Sequence, residues 1–61
     1  MIECEVIRQG ILYFVAEKGS SKSINEEYYD NVDDAYRNAC RFLRNEGVSF
    51  ILTIPAEIYE Y

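Results

Sequence analysis

The groups in this 61-residue chain with chemistry to offer are few. They are two pairs of adjacent carboxylates (Glu26–Glu27 and Asp33–Asp34), two cysteines (Cys4 and Cys40), and an arginine series, Arg37, Arg41 and Arg44. Histidine is absent, which removes the commonest general base, the commonest zinc ligand and every Ser–His or Cys–His pair. Two carboxylates can divide acid and base roles when they face each other, but sequence neighbours on a helix do not. Asp33–Asp34 is accounted for by the first turn of a helix, where negative charge meets the positive end of the dipole. Two cysteines far apart in sequence, with no histidine, make a poor zinc set. Three isolated glycines form no phosphate-cradling loop. No catalytic residue, metal or cofactor is therefore expected, and the chain reads as non-enzymatic.

The arginines are spaced by four and then three residues, which puts Arg37, Arg41 and Arg44 on one helix stripe. Such a stripe can touch phosphates, as a helix in a small RNA-binding domain does. Asp33 and Asp34 lie one turn before Arg37, however, and arginines near a helix C-terminus complement the dipole. The segment from Asn31 to Glu46 carries three acids and three arginines and is neutral. An isolated stripe on an acidic chain is a weak footprint for a polyanion, so direct nucleic-acid binding is not expected.

The net charge of −5 thus lies outside the helix. Glu3 and Glu5 are near the start, Glu26, Glu27 and Asp30 in the middle, and Glu57 and Glu60 at the end. Four of the six tyrosines travel with these acids: Tyr28, Tyr29, Tyr59 and Tyr61. Tyrosine offers a large rigid contact area with one hydrogen-bonding end and recurs at interface hot spots. Carboxylates beside it pair with arginines of a partner. EEYYD and EIYEY are therefore the expected partner-binding segments: Glu26, Glu27, Tyr28, Tyr29, Asp30, Glu57, Tyr59, Glu60 and Tyr61. The competing reading is that one tyrosine of each pair packs inward and the acids only keep the surface soluble.

The elements that position these groups follow from periodicity. A chain this short forms one domain with a thin core, and 49% hydrophobic residues make it globular. No apolar run approaches the ~20 residues of a membrane span, and MIECEVIRQG lacks the pattern of a signal peptide. A cytoplasmic location with reduced thiols is expected, with Cys4 and Cys40 as core packing. IECEVI alternates like a half-buried strand, and ILYFVAE is rich in strand formers. A three-residue loop with Gly10 left-handed would close them into a hairpin. That register puts Ile2, Cys4, Val6, Leu12, Phe14 and Ala16 on one apolar face. The opposite face then carries Ile7, Ile11, Tyr13 and Val15, which calls for a cover and is a candidate homodimer surface.

SINEEYY suits a short edge strand. Asn31 is an N-cap, and Val32, Ala35, Tyr36, Ala39, Cys40, Phe42 and Leu43 follow the spacing of a buried helix face that Gly47 ends. VSFILTI is a further strand stopped by Pro55, and AEIYEY suits a last strand or an extended tail. The fold class is α+β: a small antiparallel sheet of three to five strands, with one amphipathic helix packed on one face, in ββ(β)αβ order.

In layout, the hairpin followed by DNVDDAYRNACRFLRNEG and a strand resembles the strand-strand-helix-strand domain of HicB-type antitoxins. Those domains are commonly read as decayed double-stranded-RNA-binding folds, and the resemblance implies an antitoxin-like or structural subunit. In size, acidity and lack of catalytic residues the chain also resembles the small inhibitors that bacteriophages make against host defence, such as anti-CRISPR proteins. That resemblance implies stoichiometric inhibition of a nucleic-acid-binding protein, whose basic surface the carboxylates would occupy.

Overall fold

The computed structural model describes residues 1–59. Strand β1 (Ile2–Gln9) and strand β2 (Leu12–Glu17) form a hairpin, helix α1 (Val32–Asn45) follows, and strand β3 (Phe50–Thr53) precedes a 3₁₀ turn, Ala56–Tyr59. The sheet order is β2-β1-β3, with β1–β2 antiparallel and β1–β3 parallel. This is the expected small α+β fold, but the sheet is mixed and not antiparallel as expected. The chain crosses over through α1 between the hairpin and β3, and such a crossover brings β3 back parallel to β1.

Local chemistry sets the ends of α1. The Asp34 N–H donates to Asn31 Oδ1 at 2.8 Å, while Asn31 Nδ2 donates to Asp34 Oδ2 at 3.0 Å. One cap side chain therefore satisfies an orphan amide and ties down an acid. At the other end Gly47 takes φ 70°, its N–H donates to the Arg44 carbonyl, and the Val48 N–H donates to the Leu43 carbonyl. These are the two bonds of a Schellman ending. Ala35, Ala39, Cys40 and Leu43 are buried along the helix.

The hairpin register differs from expectation by one residue. The turn is two residues long, Gly10–Ile11, with positive φ at Gly10 only, as a type II′ turn requires. Val6 therefore faces Val15, and Ile7 faces Phe14. Because side chains alternate with period two, this slip carries all of β2 to the other face. Cys4, Val6 and Val15 join Ala35, Ala39, Leu43 and Ile58 in the core under the helix. Phe14 and Ala16, buried as deeply, belong to the opposite side of the sheet.

At β2 that opposite side is covered by the chain itself. Between β2 and α1 the chain returns along the outer edge of β2 through two bridges, Ala16 with Ser23 and Tyr13 with Tyr29. The Ile24 N–H donates to the Val15 carbonyl at 2.9 Å, and Tyr13 and Tyr29 exchange N–H···O bonds of 2.7 and 2.8 Å. The expected edge strand exists only as these two anchors, because Glu26 takes φ 60° and throws the segment off the ladder between them. The expected strand or extended tail at AEIYEY is instead the 3₁₀ turn. Its Ile58 N–H donates to the Pro55 carbonyl at 3.0 Å and its side chain is buried in the core.

Candidate functional site: an acidic, tyrosine-lined end

The two tyrosines of EEYYD have different jobs. Tyr29 stands on the helix side of the sheet, packed against the core, and its hydroxyl accepts from Asn25 Nδ2 at 3.2 Å. Tyr28 points to the far side, where its ring meets Phe14 edge to face with centroids 5.0 Å apart. It remains 48% exposed, so one face of the ring seals Phe14 and the rest meets solvent. Neighbouring residues of an extended segment must point to opposite sides, so an adjacent aromatic pair beside β2 closes both faces at once.

The acids of the segment stay outside. Glu26, Glu27 and Asp30 are exposed. Asn25 Oδ1 accepts from the Glu27 N–H at 3.2 Å and from Ser23 Oγ at 2.9 Å, and Ser23 Oγ also lies 3.0 Å from the Glu27 carbonyl. This small network holds the Glu26–Glu27 bend in place.

Tertiary structure brings part of the C-terminal segment to the same end. Tyr59, 61% exposed, lines an open concavity with Tyr13, Asp30, Asn31, Val32 and Asp33. Two rings and two carboxylates thus border one surface depression at the start of α1. Asp33 and Asp34, alike in sequence, separate here: Asp34 is bonded to the cap residue, while Asp33 lines the depression. Tyr13 and Asp33 were not expected there. The residue three positions after a cap is the one placed to reach back to it, so Asp34 is held by Asn31 and its neighbour is left to face outward.

Other expected site residues are dispersed. Glu57 lies toward Ile7 and Arg8, beside a different part of β1. Glu60 and Tyr61 lie outside the described residues. The candidate dimer surface of Ile7, Ile11, Tyr13 and Val15 does not exist as one face. Val15 is 2% exposed in the core, Tyr13 packs beside it, Ile7 stands on the other side, and Ile11 is the turn residue, 85% exposed. The one-residue register shift is the reason.

The arginine stripe forms as expected. Arg37, Arg41 and Arg44 are exposed and line one groove with Tyr36, Cys40 and Asn45. Among the described residues no ion pair joins these arginines to Asp33, Asp34 or another acid. Neutrality of the helix is therefore a matter of sum, not of contact.

Cys4 and Cys40 are free and buried. Burial, helped by the negative charge of Glu17, pushes the Cys4 thiol above its ordinary range. Such a thiol is a packing group, not an activated nucleophile. Among the described residues no group of three or more His, Cys, Asp or Glu side chains could hold a metal ion. No helix among them is long and apolar enough to cross a membrane. No protein-family model, curated protein or solved structure matches the chain.

Proposed function

We propose that this protein acts by stoichiometric contact, docking its acidic, tyrosine-lined end on a basic surface of another protein. The observation that carries this reading is the convergence of Tyr13, Tyr59, Asp30 and Asp33 on one depression. An arginine or lysine of the partner entering it would lie against aromatic rings and pair with carboxylates, two attractions that favour the same cation. The exposed Glu26 and Glu27 extend the negative field beyond the depression, and the net charge of −5 speeds encounter with a basic surface. Where that surface normally holds nucleic acid, the protein acts as a competitive inhibitor and partial nucleic-acid mimic, the mode of the anti-defence inhibitors it resembles. The reading involves no catalytic step.

Affinity capture from nuclease-treated lysate of the natural host, at low and at high salt, tests it. The expected result is one basic protein retained in stoichiometric amount, released by salt, and lost with the D30N/D33N/Y59A variant. Retention that is indifferent to both salt and those substitutions would exclude this surface.

A second reading has its own observation. Three guanidinium groups in one groove, none ion-paired among the described residues, favour an anionic ligand such as single-stranded RNA. RNA titrations at low salt decide it, since a phosphate contact must weaken as salt rises.

A further inference from the structure

We infer that β3 is a self-pairing edge and that the protein forms a two-fold symmetric dimer through it. The two edges of the sheet are treated differently. The outer edge of β2 is bonded at two points by the returning chain. The outer edge of β3, the terminal strand on the other side, receives no backbone bond from any other described segment. Proteins guard such an edge with lysine, proline or a bulge, yet Ser49 to Ile54 carries no charge, no proline and no glycine.

The backbone narrows the register of a second copy. The Ile2 N–H donates to the Ser49 carbonyl at 3.0 Å, so Ser49, Ile51 and Thr53 turn their peptide groups toward β1. Phe50 and Leu52 consequently turn theirs outward. In an antiparallel pair outward residues bond outward residues. Of the registers this allows, Phe50 against Leu52 of the second copy and Leu52 against its Phe50 is the one that uses both outward residues of each copy. The two-fold axis then passes between the two copies of Ile51, which meet as a close, non-hydrogen-bonded pair on the side away from α1. This accounts for an isoleucine 49% exposed in mid-strand. The half-buried Phe50 and Leu52 gain cover on the helix side in the same step.

Charge permits the approach. Glu3 is the β1 neighbour of Ile51, so the two Glu3 residues would stand three strand spacings apart, roughly 14 Å. That exceeds the screening length of about 8 Å at physiological salt. Assembly stops at two copies, because pairing consumes both β3 edges and the β2 edges are already covered. The sheet becomes six-stranded, β2-β1-β3-β3-β1-β2. The partner is a second copy and not an extended basic peptide because the edge bears no acid to select one.

Sedimentation equilibrium over a wide concentration range, at low and at high salt, tests this on the full chain. The expected result is a monomer–dimer equilibrium with a Kd on the order of micromolar, given the small area of an edge contact. It tightens with salt as repulsion between two acidic copies is screened, opposite to the behaviour expected of the partner-binding end. Ile51→Lys sets like charges directly opposite and should weaken the dimer about tenfold or more. Its circular dichroism and dilute-solution unfolding midpoint should match the parent, because Ile51 is a surface residue of the monomer. Ile51→Val, which keeps the contact, should retain the dimer. A monomer at the highest concentrations, or a dimer indifferent to Ile51→Lys, would overturn the inference, and neither outcome touches the acidic end.

Discussion

The rings of Phe14 and Tyr28 meet at 62° with centroids 5.0 Å apart, on the side of the sheet away from α1. Helix α1 covers only one face of the sheet. This contact gives the second face a core of its own: Phe14, fully buried, under a tyrosine carried by the returning segment. The same segment bears Glu26, Glu27 and Asp30, so stability and the charge of the candidate surface come from one stretch of chain.

Tyr28→Ala should therefore destabilise the fold by about 1–2 kcal/mol, from the lost ring pair and the uncovered Phe14. Tyr28→Phe should cost little, because no hydrogen bond of the Tyr28 hydroxyl is needed to hold the ring on Phe14. Urea unfolding of the two variants checks this, and equal losses would contradict it.

Glu26 sits at φ 60°, a left-handed conformation that costs an ordinary residue on the order of 1 kcal/mol. Glu26→Gly should relieve that strain and raise stability by about 0.5 kcal/mol, net of the larger entropy of glycine in the unfolded chain. If the glutamate contributes to partner contact, the same variant should bind more weakly. Thermal unfolding and partner titration on one sample separate the two effects.

Asn31→Ala removes the acceptor for the Asp34 N–H and the donor to the Asp34 and Asp30 carboxylates. A loss of about 1 kcal/mol is expected, with Asn31→Ser, which keeps an acceptor without adding charge beside Asp30 and Asp34, recovering part of the cap. Gly47→Ala, at φ 70° with open space around it, should cost about 1 kcal/mol through backbone strain alone. Both are read from denaturation midpoints at constant m-value.

The Cys4 thiol, raised by burial and by Glu17, is held protonated in the folded state. Its folded pKa exceeds its unfolded one, so its contribution to stability is complete below the ordinary thiol range, about pH 8.5. It declines as pH climbs through that range toward the folded value. Cys4→Ala, although less stable throughout from the lost packing, should show a shallower alkaline decline than the parent. Parallel slopes from neutral to alkaline pH would refute the assignment.

The sequence by itself determined the helix, because every signal for it is local. Asn31 caps an amide three residues on, Gly47 takes the left-handed position, and the spacing from Val32 to Leu43 leaves one stripe to bury. It determined the surplus of acid outside the helix for the same reason, since charge is counted and not folded. The hairpin register was decided only by tertiary structure. IECEVI and LYFVAE present apolar residues to either side under both registers, and local periodicity favoured the one with a single clean face. The fold instead buries both faces, with α1 over Val6 and Val15 and Tyr28 over Phe14, so the slip that seemed to waste Phe14 is the one that uses it. The depression shared by Asp30 and Tyr59 was equally beyond local reading. It exists because Ile58 enters the core and the 3₁₀ turn carries the next side chain back to the start of the helix. Local sequence specifies elements through bonds a few residues long, whereas faces and sites depend on which distant segment arrives to cover them.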